Sequence, residues 1–111
     1  MKKPNDYYLY QQLLTINEQT FQAGNYNAAY HALTAALYCA QDINSDEPLR
    51  NIIKTALQEL EWIDQNQPEY EHASQSARRR HQTDSIFSKL ATQAETRLKM
   101  RHVYQLGKRR L

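Results

Sequence analysis

The side chains with the widest chemical repertoire are few and scattered. Histidines stand at positions 31, 72, 81 and 102, and Cys39 is the only cysteine. Glu69 and His72 form one Glu-x-x-His, a spacing that puts both side chains on one face of a helix. A di-iron bundle needs two such motifs and two further glutamates, and no second copy occurs. His-Glu-x-x-His and paired cysteines, the usual zinc patterns, are missing as well. A catalytic thiolate needs an exposed, electropositive place. Cys39 falls instead in a stripe of small residues with Ala28, Ala32 and Ala35, and reads as a buried thiol. Gly24 and Gly107 are the only glycines, too few for a phosphate-cradling loop. The expectation is a chain without catalytic residues, metal or cofactor.

Charge carries the stronger signal. The formal net charge is +2, but its distribution is uneven. Residues 1–72 hold 10 acids and 4 bases, a net of −6, and residues 73–111 hold 10 bases and 2 acids, a net of +8. Arg78, Arg79, Arg80 and His81 are contiguous. Arg97, Arg101 and Tyr104 fall on one helical face at spacings of 4 and 3, with Lys99, His102 and the Lys108-Arg109-Arg110 run nearby. A guanidinium matches phosphate or carboxylate bidentately, and a tyrosine ring stacks on bases. Such a segment either meets an anionic partner or pairs with acids of its own chain, Glu59, Glu61 and Asp64. A second contact surface is the helical face of Asn27, His31, Thr34 and Tyr38, since tyrosine is favoured at interfaces. The candidate partner-binding residues are therefore Arg78, Arg79, Arg80, Arg97, Arg101, Tyr104, His31 and Tyr38.

The elements that must position them are helical. The chain has 111 residues, 2 Gly, 3 Pro and a single valine, with Ala, Leu, Gln, Glu and Arg abundant. That length suits one domain. The lone cysteine excludes a disulfide scaffold. No apolar run approaches the roughly 18 residues of a membrane span, and no secretory leader is read at Lys2-Lys3, so a cytoplasmic protein is expected. Asn5 or Asp6 caps a first helix to Ala23, with a stripe of Leu9, Leu13, Ile16 and Thr20 flanked by Tyr10, Leu14 and Phe21. Gly24 and Asn25 turn the chain into a second helix from Tyr26 to Gln41, whose wide apolar surface makes it the central one. Asp46 and Pro48 open a third helix over 46–66 with the stripe Leu49, Ile52, Ile53, Ala56, Leu57, Leu60 and Ile63. Residues 67–84 read as a polar connector or exposed helix. A basic fourth helix covers 84–106, and Gly107 starts a frayed tail. The fold class is an all-α, four-helix antiparallel bundle: a helical hairpin at 6–42 and two further helices.

The run Phe21-Gln-Ala-Gly24-Asn-Tyr26-Asn-Ala-Ala29-Tyr-His-Ala-Leu33-Thr-Ala-Ala36-Leu37 resembles one tetratricopeptide repeat. Leu13 and Ile16 stand at its first-helix apolar positions, Gly24 and Tyr26 at its turn, and Ala29, Leu33 and Ala36 at its second-helix packing positions. Leu13 replaces the family's usual Trp, Asn17 its Gly, Thr20 its Tyr and Gln41 its closing Pro. The resemblance spans about residues 10–43 and does not recur, so it implies a hairpin geometry rather than a ligand groove, which needs stacked repeats. The Ala28–Leu37 run is similar to the tyrosine-rich core helix of HEPN domains, and Arg97, His102 and Tyr104 match their Arg-x4-His-x-Tyr motif. Five residues advance roughly 140° around a helix, which sets Arg97 and His102 apart.

The function expected from the sequence is a non-enzymatic interaction module, an adaptor or regulatory subunit with an unknown protein partner. The competing readings are a nucleic-acid or polyanion binder working through residues 78–110 and a HEPN-like ribonuclease. Homo-oligomerisation stays open.

Overall fold

A computed structural model describes residues 5–109. It is all-α: α1 (Asp6–Gln22), α2 (Tyr26–Gln41), α3 (Glu47–Asn66), α4 (Ser74–His81) and α5 (Ile86–Arg109), with no strand among the described residues. Asn5 caps α1, its side chain accepting from Tyr8 N at 2.7 Å, and Asn25 caps α2 through Ala28 N at 3.2 Å. Gly24 takes φ +81° between them, a conformation strained for any residue with a Cβ. The short turn folds α1 and α2 into an antiparallel hairpin. α3 and α5 form the second extensively packed pair. They run antiparallel, since Asp46 at the start of α3 meets Arg101 late in α5, while Ile63 near the end of α3 shares a cluster with Phe87 at the start of α5.

The core has two parts. The larger joins four helices through Tyr10, Leu33, Leu37, Leu49, Ile52 and Leu90, with alanines of α2, α3 and α5 closing the gaps. The smaller gathers Leu60, Ile63, Ala73 and Phe87 beneath partly buried Phe21, Tyr26, Tyr30 and Tyr70. α2 packs against α1, α3 and α5, the central position its wide apolar surface requires.

Three details depart from the sequence reading. The first helix buries Tyr10 and Asn17, while Leu9 and Ile16 are exposed, so its inward face is turned toward the flanking stripe. Segment 67–84 contains a fifth helix, α4, which is not merely exposed: Ala73, Ser76 and Ala77 are buried. Side-chain bonds order it. Asp64 accepts from Ser74 N and Ser74 Oγ at 2.8 and 2.7 Å, Ser76 Oγ donates to Pro68 O at 2.6 Å, and Tyr70 donates its hydroxyl to Asn27. The last helix begins at Ile86, because Ser85 Oγ accepts from Phe87 N at 3.2 Å, and it runs through Gly107 to Arg109 without a frayed break. Pro4, Arg110 and the side chains of Lys108 and Arg109 lie outside the described residues.

Candidate functional site

The basic residues do not form one surface. Arg78, Arg79, Arg80 and His81 make up the last turn of α4, where the outward carbonyls favour cations. Arg79 reaches Glu69 Oε2 at 3.2 Å and Arg80 donates to Glu69 O at 3.2 Å, both in solvent, while Arg78 is exposed. Glu69 and His72 do not share a helical face. They lie in the turn between α3 and α4, where His72 pairs with Glu71 at 2.9 Å and stacks on His81 with ring centroids 6.0 Å apart. No group of three His, Cys, Asp or Glu that could hold a metal ion occurs among the described residues.

Along α5 the acid that meets the bases is Asp46, not one of the acids further along α3. Asp46 precedes α3 but makes no side-chain cap bond. Its Oδ1 accepts from Arg101 Nε at 3.1 Å and its Oδ2 lies 2.8 Å from His102 Nε2, while Arg101 also donates to Ile43 O at 3.0 Å. The bonds from His102 and Arg101 hold the Asp46 carboxyl below the usual carboxylate range. Asp46 therefore clasps α5 to the α2–α3 turn. A folded carboxyl held low contributes stability above its unfolded value and loses it as pH falls through the folded one. Asp46→Ala is expected to speed amide hydrogen exchange in residues 98–107 and to leave the helices of the larger core protected, with exchange at neutral pH as the readout.

The clasp divides the predicted α5 site. Arg101 is half-buried and committed to Asp46, and His102 is directed onto the same carboxylate. Arg97 and Tyr104 line a cleft of about 330 Å³ with Gln41, Leu49, Met100 and Arg101, a lining that does not include His102. At the cleft's rim α5 presents Met100 and Tyr104 at 60% and 66% exposure, and outside it Val103 and Leu106 at 60% and 56%. No Asp or Glu follows Glu95, while six bases do. On α2, His31 and Tyr38 are both exposed; His31 stands edge-on to Tyr30 with centroids 5.3 Å apart. Burial raises the pKa of the Cys39 thiol, with Asp6 and Asp42 adding to the effect, so it stays protonated at neutral pH.

A second site was not singled out by the sequence. Asn17 on α1 is 2% exposed and Glu59 on α3 is 8% exposed. Asn17 Nδ2 donates to Ala29 O at 2.9 Å and to Glu59 Oε1 at 3.1 Å, so one amide ties α1, α2 and α3 together. Burial pushes the Glu59 carboxyl up to about 7, against the lowering effect of the Asn17 bond. The pair lies under a cleft of about 450 Å³ between α1 and α3. Trp62 stands at its edge, 42% exposed, with its ring edge-to-face on Phe21 at 5.5 Å. The signal was present in the register: Glu59 occupies the series Ile52, Ala56, Glu59, Ile63, otherwise apolar and buried throughout. Asn17 stands seven residues after buried Tyr10 on the same face. Comparison of the chain with protein-family models, curated proteins and solved structures gives no match.

Proposed function

We propose that this chain is a non-enzymatic protein-interaction module, an adaptor or regulatory subunit of the cytoplasm, that docks an acidic, amphipathic helix of a protein partner on the last turns of α5. The observation that supports it is the coincidence of Met100, Val103 and Leu106, each 56–60% exposed, with a stretch of six bases and no acid. Exposed apolar side chains in a sequence stretch of one charge sign suit a protein interface. Methionine adapts its shape to the surface it meets. A phosphate backbone would use the bases and leave the aliphatic side chains idle. The tetratricopeptide-like hairpin fits the same reading as the scaffold against which α3 and α5 pack.

Salt separates this reading from polyanion binding. Labelled mixed-sequence RNA, followed by anisotropy and strand length at about 50 mM and about 200 mM salt, is expected to stay intact and to show no tight binding at the higher salt. A protein complex formed by the wild-type chain is expected to survive the higher salt and to be lost in the Met100→Glu, Val103→Glu double variant. RNA binding that falls steeply with salt, unchanged in the double variant, would replace the proposal with the nucleic-acid reading. RNA cleavage lost in His102→Ala would replace it with the ribonuclease reading.

A further inference from the structure

The cleft between α1 and α3 lies apart from the α5 surface and has a chemistry of its own. Its charged lining side chains are Glu18 and Glu59, and no base lines it. Glu18 of α1 lines the same cleft as Glu59, and behind the walls α2 gives the Asn17 amide its Ala29 carbonyl and packs the Tyr26 ring on Phe21 and Trp62. Glu59 accepts one hydrogen bond among the described residues, at Oε1. No fully enclosed side-chain oxygen or nitrogen lacks a partner. The second Glu59 oxygen is therefore reachable, and the cleft is the open space beside it. The remaining walls are largely apolar, with Leu14, Phe21 and Trp62 among them.

We propose that this cleft binds a primary ammonium carried on an alkyl stem, the chemistry shared by a lysine side chain and a free aliphatic amine. The stem lies along Leu14 and Phe21, and the cation meets the free Glu59 oxygen with the Trp62 ring beside it. A cation near a tryptophan face gains further attraction, more so where water is excluded. The volume of about 450 Å³ lies within the range of small-ligand sites. Ammonium is favoured over guanidinium because a fork-to-fork pair needs both carboxylate oxygens turned to the ligand, and Oε1 is turned to the buried Asn17 amide. Thr55 and Gln58 at the cleft wall supply acceptors for the other ammonium hydrogens.

Trp62 is the only tryptophan, so its fluorescence reports on the cleft directly. The probes are n-pentylamine and the capped tripeptide acetyl-Gly-Lys-Gly-amide, with n-pentanol as the uncharged control. At pH 8 the amine is expected to give a saturable change that pentanol does not. Glu59→Gln is expected to weaken amine binding at least about tenfold through loss of the ionised oxygen. Glu18→Lys, an exposed change that leaves the core intact, is expected to weaken it several-fold. Wild-type affinity should be about tenfold higher at pH 8 than at pH 6, because a carboxyl titrating at about 7 is about nine-tenths ionised at the first and about one-tenth at the second. Tighter binding of the tripeptide than of pentylamine assigns the site to a lysine side chain, and saturation by pentylamine alone assigns it to a free amine. Absence of saturation with both amines, equal binding of pentanol, or undiminished binding by both variants would overturn the proposal.

Discussion

Phe87→Ala is expected to lower the unfolding free energy by about 3–5 kcal/mol, the usual range for removing a buried aromatic ring. Phe87 is fully buried in the smaller core, with Leu60 and Ile63 of α3 and Ala73 of the α4 turn, and its ring stands edge-on to Tyr30 at 5.8 Å. A chain of this size holds about 5–15 kcal/mol in all, so the loss would be a large share of the total. Collapse around the gap is restricted, because Tyr70 and Tyr26 are held in their own ring contact at 5.3 Å. The damage should also be local. α4 and the residue that precedes it bury Ala73, Ser76 and Ala77, none of which can move inward far enough to replace a ring. Urea unfolding followed by far-ultraviolet circular dichroism gives the magnitude, and hydrogen exchange should show residues 67–81 losing protection before α2 does. A change under about 1 kcal/mol would mean that the two core parts do not depend on each other.

Glu59→Gln is expected to act in the opposite direction, stabilising the protein at alkaline pH. Burial raises the folded-state value of Glu59 from 4.5 to about 7. Between those values the folded chain keeps a proton that the unfolded chain has released. Stability therefore falls as pH rises across that window and levels off above it. The full shift corresponds to about 3 kcal/mol at most. Glutamine has the same shape, keeps an oxygen to accept from Asn17 and never ionises. At pH 8 the variant should be more stable than wild type by about 2 kcal/mol, and at pH 4 the two should be nearly equal. Urea midpoints read by Trp62 fluorescence at both pH values test this. A variant less stable than wild type at pH 8 would show that the charged form of Glu59 is favoured in the fold.

Much of the fold was legible in the sequence, and the reasons are local. Asn5, Gly24, Asn25 and Pro48 each do at a helix end what their chemistry favours, so the starts of α1, α2 and α3 follow from them. Segment 67–84 was harder to read. Its order comes from Asp64, Pro68 and Asn27, residues 8 to 43 positions away from their partners, and from three small buried side chains that leave no apolar stripe. The inward face of α1 was ambiguous because Leu9, Tyr10, Leu13, Leu14 and Ile16 spread over roughly 160° of the helix, wide enough for either edge of the stripe to face the core. The choice between them was made by α2 and α3, which receive Tyr10 and Asn17.

The candidate sites were legible in part. The sequence marked the bases of α5 but not their division, because Asp46 carries the signature of a helix cap and spends its carboxylate on Arg101 and His102 instead. The Asn17–Glu59 pair lay in the heptad-like register of two helices, yet only tertiary packing places an amide opposite that carboxyl. Charge counting grouped Glu59 with Glu61 and Asp64 as partners for the basic segment, whereas its position in an apolar series is what decides its burial.

The most direct test of the interaction reading puts a photo-crosslinking residue in place of Val103 in the full chain, expressed in its native cell. Val103 is 60% exposed and outside both the clasp and the clefts, so the substitution leaves the fold intact. The account predicts one dominant adduct to a protein, attached at an acidic, amphipathic helix, formed at about 200 mM salt and lost when Met100→Glu is added. Adducts to nucleic acid alone, or a protein adduct indifferent to Met100→Glu, would contradict it.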